Sequence, residues 1–265
     1  MSVSINRLQG YLRNSAGERY HTVSIPPFTL FFHPTDRFPH FNYAIPDEPI
    51  TGDVQEQLRA LRNEFAVRGC QPRFEFLDEY APGLASALRA AGFVEEARQH
   101  LMICTPESFK APPEVKGMTV TVVDAAAPLS AVQAYVTVQR QGFDPANITP
   151  VTEDEAQGFR TTLQAGAAFL ARLDTTPVAV AMLMNPLDGV TELAGVATLA
   201  AYRQRGIASA LTAYAVKRAF AQGVQVACLT AGDAAAGRVY ERAGFYPYAT
   251  MLAYHVPVAP EPAVE

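Results

Sequence analysis

The chain has 265 residues, 49% of them apolar and 18% charged, enough for one or two cored domains and too apolar for a long disordered or low-complexity architecture. Its 21 Lys and Arg against 26 Asp and Glu leave a net charge of −5, opposite in sign to the basic footprint of a generic nucleic-acid binder. The apolar runs, such as residues 178–184, are far shorter than the roughly 20 residues that span a bilayer, and no apolar stretch near Arg7 and Arg13 reads as a secretion signal. The expectation is a soluble cytoplasmic protein that binds neither nucleic acid nor membrane.

Along the first half, residues 41–45 read as a strand. Val54, Leu58, Leu61 and Phe65 mark an amphipathic helix, residues 73–77 a second strand, and residues 88–93 a helix end running into Gly-Phe. Residues 105–117, with Pro106, Pro112 and Pro113, lack either period and read as a linker between a domain at 1–104 and one at 118–256. Residues 118–123 then form a strand and residues 128–140 a helix. Thr152 with Glu155 makes a capping box that opens a second helix. Strands follow at 168–173, 178–184 and 192–198, and a long helix at 206–222 carries Leu211, Ala215 and Ala219 at four-residue spacing before Gly223. A buried strand at 224–230, a short helix capped by Asp233 and closed by Gly244, and a last strand at 246–256 complete the order β-α-α-β-β-β-α-β-α-β. The tail at 257–265 is too rich in proline and small residues to bury much.

The two halves register on each other. Residues 88–93, LRAAGF, match residues 240–245, YERAGF, so that Gly92 falls on Gly244 at an offset of 152. At that offset 73–77 falls on 225–229, the helix of Leu58 on that of Leu211, and 41–45 on 193–197, which indicates two copies of one supersecondary unit.

Cys70, Cys104 and Cys228 are odd in number and far apart, and read as reduced, buried thiols. The five histidines show no metal-ligand spacing, so no metal is expected. Neither a nucleophile elbow nor either glycine-rich nucleotide fingerprint occurs. The chemistry concentrates instead in Val196, Ala197, Thr198 and the turn Arg203, Gln204, Arg205, Gly206, Ile207, Ala208, Ser209. There a strand enters a basic turn, and small residues open a helix whose unpaired amides and dipole suit a phosphate. In the first copy Arg205 is replaced by Asp53, Gly206 by Val54 and Ala208 by Glu56, which would repel the same anion.

Arg203-Gln204-Arg205-Gly206-Ile207-Ala208 resembles the Arg/Gln-x-x-Gly-x-Gly/Ala signature of the GNAT superfamily of acetyl-CoA-dependent N-acetyltransferases. Asp233, Ala236, Tyr240, Gly244 and Phe245 are similar to its second element, with Asp233 where the family usually has Asn. The resemblance covers residues 118–256 clearly and 28–104 as a degenerate relative. It implies a mixed, mostly antiparallel α/β sheet in each of two tandem folds, flanked by helices, with a splayed central strand pair near Thr198 and Val224. Acetyl-CoA would lie in that gap, its pantetheine arm on the backbone of Val196 and Thr198 and the Val196 amide on the thioester carbonyl.

Within that expectation Tyr240 is either the proton donor to the departing thiolate or a packed core tyrosine. Glu192, four residues before Val196, shares its face by period-two alternation and is either the base or a structural carboxylate. The loop at 141–150 is placed for acceptor contacts, with Phe143 as a wall. Glu153, Asp154 and Glu155 suit either a cationic amine or the helix dipole. The expected activity is acetyl transfer to a primary amine of a small molecule by direct attack, the alternative being a non-catalytic acyl-CoA-binding module. Residues 249–255 read as an edge strand able to pair in a homodimer.

Overall fold

The computed structural model describes residues 3–163 and 167–257; most of the expected tail lies outside these described residues. In chain order the elements are α1 (Ile5–Gly17), β1 (His21–Ile25), β2 (Phe28–Phe32), β3 (Asn42–Pro46), α2 (Gln55–Val67), β4 (Arg73–Leu77), α3 (Leu84–Ala90) and β5 (Val94–Cys104). They continue with β6 (Met118–Val123), α4 (Leu129–Phe143), α5 (Glu153–Thr162), β7 (Ala167–Leu173), β8 (Thr176–Leu183), β9 (Val190–Thr198), α6 (Ile207–Ala221), β10 (Val226–Thr230), α7 (Ala234–Glu241) and β11 (Tyr246–His255). Among the described residues no helix is long and apolar enough to cross a membrane.

The chain divides into two compact units, one of residues up to 101 with 248 onward, the other of residues 102–247. In the first, β1, β2 and β3 form an antiparallel meander, β3 runs parallel to β4, and β11 pairs antiparallel with β4 from Met251↔Leu77 to His255↔Arg73. Leu58, Leu61 and Phe65 lie on one face of α2 and close a core with Phe28, Phe74, Phe76, Leu252 and Tyr254. The sequence reading assigns β11 to the second domain and to a dimer edge. Both assignments are corrected here, because β11 lies between β4 and β5 and has no free edge, while its Leu252 and Tyr254 are fully buried in the first unit. Helix α1 was not read from sequence, although Ser4 caps it, accepting from the Arg7 amide, and Leu8 and Tyr11 bury one face.

In the second unit β6, β7, β8 and β9 are successively antiparallel and β10 runs parallel to β9, a mixed sheet. Helix α6 covers one face through Leu211, Ala215, Val216 and Ala219 over Phe169, Ala179 and Leu193. Helices α4 and α5 cover the other through Val132, Tyr135, Val136 and Ala156 over Ala168, Leu170, Val180 and Ala197. The expected capping box is half formed, since Thr152 Oγ1 accepts from the Glu155 amide at 3.2 Å while Glu155 pairs with Arg140.

Residues 105–117 are not a free linker. Lys110 N donates to the Ala243 carbonyl, Phe109 packs edge-on against Phe220, and a side chain on Gly244 would overlap the backbone of Ser108 and Phe109. Proline keeps this strap out of helix and sheet, but its apolar residues still find a surface of the second unit to cover.

Candidate active site

The site begins where β9 and β10 part. Their parallel pairing runs from Val226↔Val190 to Cys228↔Glu192 and stops there, leaving the end of β9 unpaired on that side. A turn through 200–206 then reverses the chain, with Gln204 at φ 61° and Gly206 at φ 79°. Gly206 takes this left-handed backbone without the cost a Cβ adds, and it stands at the cap position of α6. No side chain caps that helix. The first amides of α6 therefore lack intrahelical acceptors and carry the positive end of the dipole.

These amides border a cleft of about 730 Å³, within the roughly 300–1,000 Å³ usual for small-molecule sites. Eleven of the residues singled out from sequence line it: Val196, Ala197, Thr198, Arg203, Gln204, Gly206, Ile207, Ala208, Ser209, Asp233 and Tyr240. Phe143, the expected wall, lines it too and is 65% exposed. Arg205 and Glu192 do not line it.

The arginines of the turn behave differently from a simple phosphate clamp. Arg203 Nε donates to the Thr198 carbonyl at 3.1 Å and its Nη2 to the Gly142 carbonyl at 2.8 Å, so the guanidinium ties the end of α4 to the end of β9. Arg205 lies over the Tyr202 ring, 5.5 Å from its centroid. The further cations in the lining are Arg238, on the helix that carries Tyr240, and Arg242, at the C-terminal cap of that helix. Sequence reasoning missed both, although two arginines four apart beside the tyrosine of a suspected site were a usable signal.

Asp233 Oδ1 accepts from the Ala236 amide at 2.7 Å, so the carboxylate caps α7. Ser209 Oγ donates to the Val239 carbonyl at 3.0 Å and ties α6 to α7 beneath the cleft. Tyr240 sits mostly buried at the cleft wall with its ring edge-on to Phe245. Burial, reinforced by the charge of Asp233, pushes its phenol above the ordinary value, so Tyr240 holds its proton at neutral pH.

Glu192 requires a correction of its geometry. Val180 pairs with Ala197 and Met182 with Ala194, so β9 carries one extra residue, and Gly195 takes φ 61° within that stretch. The bulge reverses the alternation. Leu193 packs under α6, whereas Ala197 packs under α4. Val196 therefore faces the α6 side and Glu192 the α4 side, beside the buried Cys228, whose thiol is pushed up by burial and by the Glu192 charge. The expected shared face is lost because period two counts only through an unbroken ladder.

The corresponding helix start of the first unit is finished by its own side chains. Helix α2 starts with Val54 at φ −121°, Asp53 Oδ1 accepts from the Gln55 amide, and Gln55 Nε2 donates to the Ala87 carbonyl, bridging α2 to α3.

Residues 133–245 match the family described as Acetyltransferase (GNAT) family. None of the curated proteins compared matches the chain. Among solved structures, a GCN5-related N-acetyltransferase from Kribbella flavida is 28% identical, with 98% of each chain covered and a TM-score of 0.81. A GCN5-related N-acetyltransferase from Sphaerobacter thermophilus shares the fold at 14% identity, with 95% of this chain and 88% of that chain covered and a TM-score of 0.65. A tandem GNAT protein from the clavulanic acid biosynthesis pathway does so at 12% identity, with 88% and 79% covered and a TM-score of 0.64. A parted strand pair, an uncapped helix start and a half-buried tyrosine meet in one cleft within residues 133–245, the stretch that matches the GNAT acetyltransferase family.

Proposed function

We propose that the cleft binds acetyl-CoA and that the chain moves its acetyl group to a primary amine of a small-molecule acceptor by direct attack in a ternary complex. The observation that carries this reading is the uncapped, glycine-led start of α6 opening onto the same cleft as Val196 and Tyr240. Acetyl-CoA supplies an acyl group activated as a thioester. The amides of Gly206, Ile207, Ala208 and Ser209 would take its pyrophosphate, and Arg238 and Arg242 would offset its remaining negative charge. The backbone of Val196 and Thr198 would hold the pantetheine arm, with the Val196 amide on the thioester oxygen. Tyr240 would give its proton to the leaving sulfur, and Glu192 would take the amine proton through water, since it stands off the cleft wall. The three buried free thiols suit a reducing cytoplasm.

One feature favours a second reading, a non-catalytic acyl-CoA-binding module. Among the described residues lining the cleft the carboxylate is that of Asp233, which is engaged in capping.

Calorimetric titration with acetyl-CoA, paired with a thiol-release assay across primary amines, separates the readings. Ala208→Glu places a carboxylate at the helix start, and one-to-one binding by the unaltered chain should be lost in it. Tyr240→Phe should keep that affinity and lower turnover by roughly 10²- to 10⁴-fold. Because its phenol is raised, the donor stays protonated through neutral pH, and the midpoint of the alkaline loss of turnover should lie above that of an ordinary phenol. Absence of binding by the unaltered chain refutes both readings, and binding without turnover leaves the module.

A further inference from the structure

The first unit carries a buried amide that belongs to neither of the strands it joins. Strands β3 and β4 pair in parallel at Ala44↔Phe74 and run on to Pro46 and Leu77. There the Asp47 amide donates to the Pro27 carbonyl, just before β2, and the Asp78 amide to the Thr250 carbonyl on β11. Because the two polar groups of a trans peptide point opposite ways and strand residues alternate, the Pro46 carbonyl and the Leu77 amide then face into the gap between β3 and β4. Gln9 on α1, 2% exposed, spans that gap. Its Nε2 donates to the Pro46 carbonyl at 3.4 Å and its Oε1 accepts from the Leu77 amide at 3.1 Å, so the side chain supplies one donor and one acceptor where both are needed. At the offset of 152 Pro46 falls on Thr198, which lines the cleft of the second unit, and Leu77 falls on Leu229 of β10. The first unit thus fills from its own chain a place between strands that the second leaves open. A pocket of about 230 Å³ opens over Gln9, lined also by Asn6, Gly10, Arg13, Pro49 and Tyr80. Nothing stands within 4 Å of where a Cβ on Gly10 would be, which leaves a way in from solvent.

We propose that α1 is a built-in ligand of the first unit: Gln9 brings into the gap between β3 and β4 the amide that a bound cofactor would bring, so this copy takes no acyl-CoA and serves as a scaffold. The likeness to a cofactor rests on the acetyltransferase reading above, in which the amide-bearing pantetheine arm lies at the corresponding strand end. The neighbouring helix start agrees with it, since Asp53 and Gln55 already finish α2, and Asp53 with Glu56 carries the wrong charge for a phosphate. The gap is a site for an amide in particular. A methionine of similar length at position 9 would offer neither bond and would leave the Pro46 carbonyl and the Leu77 amide buried and unpaired.

The test replaces Gln9 in the full chain and reads thermal unfolding together with the stoichiometry of acetyl-CoA binding by calorimetry. Gln9→Met keeps the bulk and removes both hydrogen bonds, and it should lower the unfolding temperature by roughly 3 °C or more. Gln9→Ala lacks the atoms of an acetamide molecule and should unfold lower still. Acetamide, at concentrations that leave the unaltered chain unmoved, should raise that temperature again, whereas acetone, which accepts a hydrogen bond but cannot donate one, should not. Acetamide should do nothing for Gln9→Met, whose side chain fills the space. The unaltered chain should bind a single acetyl-CoA. A Gln9→Met chain that unfolds within about 1 °C of the unaltered one overturns the inference, because the amide is then not what joins the strands. Failure of acetamide to raise Gln9→Ala overturns it too, and so does a second acetyl-CoA on the unaltered chain, which would show the first unit open. Gln9→Met and the stoichiometry decide even where Gln9→Ala does not fold. Absence of any acetyl-CoA binding refutes the acetyltransferase reading and with it the likeness to a cofactor, and the acetamide result tells that failure apart from the loss of the amide site itself.

Discussion

At the scale of single residues, Gly195 decides more of the site than any charged group. Its φ of 61° leaves a side chain no relaxed backbone, and a notional Cβ 2.9 Å from Gln139 Nε2 would push that amide aside. Gly195→Ala should therefore cost about 1–3 kcal/mol in denaturant unfolding, and it should also reduce turnover, because the bulge aims Val196 into the cleft while Glu192 stays behind it. An unchanged unfolding midpoint in that variant would mean the strand absorbs the methyl and the bulge is not held by Gly195. The lining residues from Val196 to Tyr240 were legible because small residues at a helix start and a tyrosine on a short helix are local patterns. The face of Glu192 was not, since a bulge is a property of two strands and a lone glycine in one of them is a weak signal. Arg203 shows a related limit. Sequence announces its charge but not the two carbonyls, on Gly142 and Thr198, that claim it.

Among the elements, several boundaries in the two halves keep the sequence offset of 152. Helix α2 begins at Gln55 and α6 at Ile207, the offset read from sequence, and Gly92 and Gly244 both take left-handed backbone at the equivalent helix ends. What differs is how each helix start is finished. Asp53 and Gln55 occupy the opening of α2 with their own hydrogen bonds, whereas α6 leaves its amides to something else. Helix α7 tests the difference between a cap and a ligand contact. Asp233→Ala should cost about 0.5–2 kcal/mol of stability through the lost cap, with acetyl-CoA affinity, read by the same calorimetry, nearly unchanged. A large loss of affinity at unchanged stability would instead make Asp233 a contact. The element order of residues 118–256 was legible because strands and helices there alternate between clear periods. Helix α1 was overlooked because the polar Gln9 and Ser15 lie on its buried face beside Leu8 and Tyr11.

For the molecule as a whole, domain boundaries were the least legible feature, since hydropathy marks an apolar strand without naming its neighbour. The strand β11 was read into the unit that precedes it in the chain, yet it pairs with β4, and Leu252 and Tyr254 are buried in the first unit's core. A chain ending at residue 247 should therefore lose the first unit's core, seen as a loss of its protease resistance and of cooperative unfolding. Retention of both would show that β4 finds another partner. The same pairing bears on how the protein is made. Translation delivers β1 to β4 early, but their hydrophobic face stays incomplete until residues 251–255 leave the ribosomal exit tunnel. The first unit's core therefore closes only after the whole of the second unit has been made.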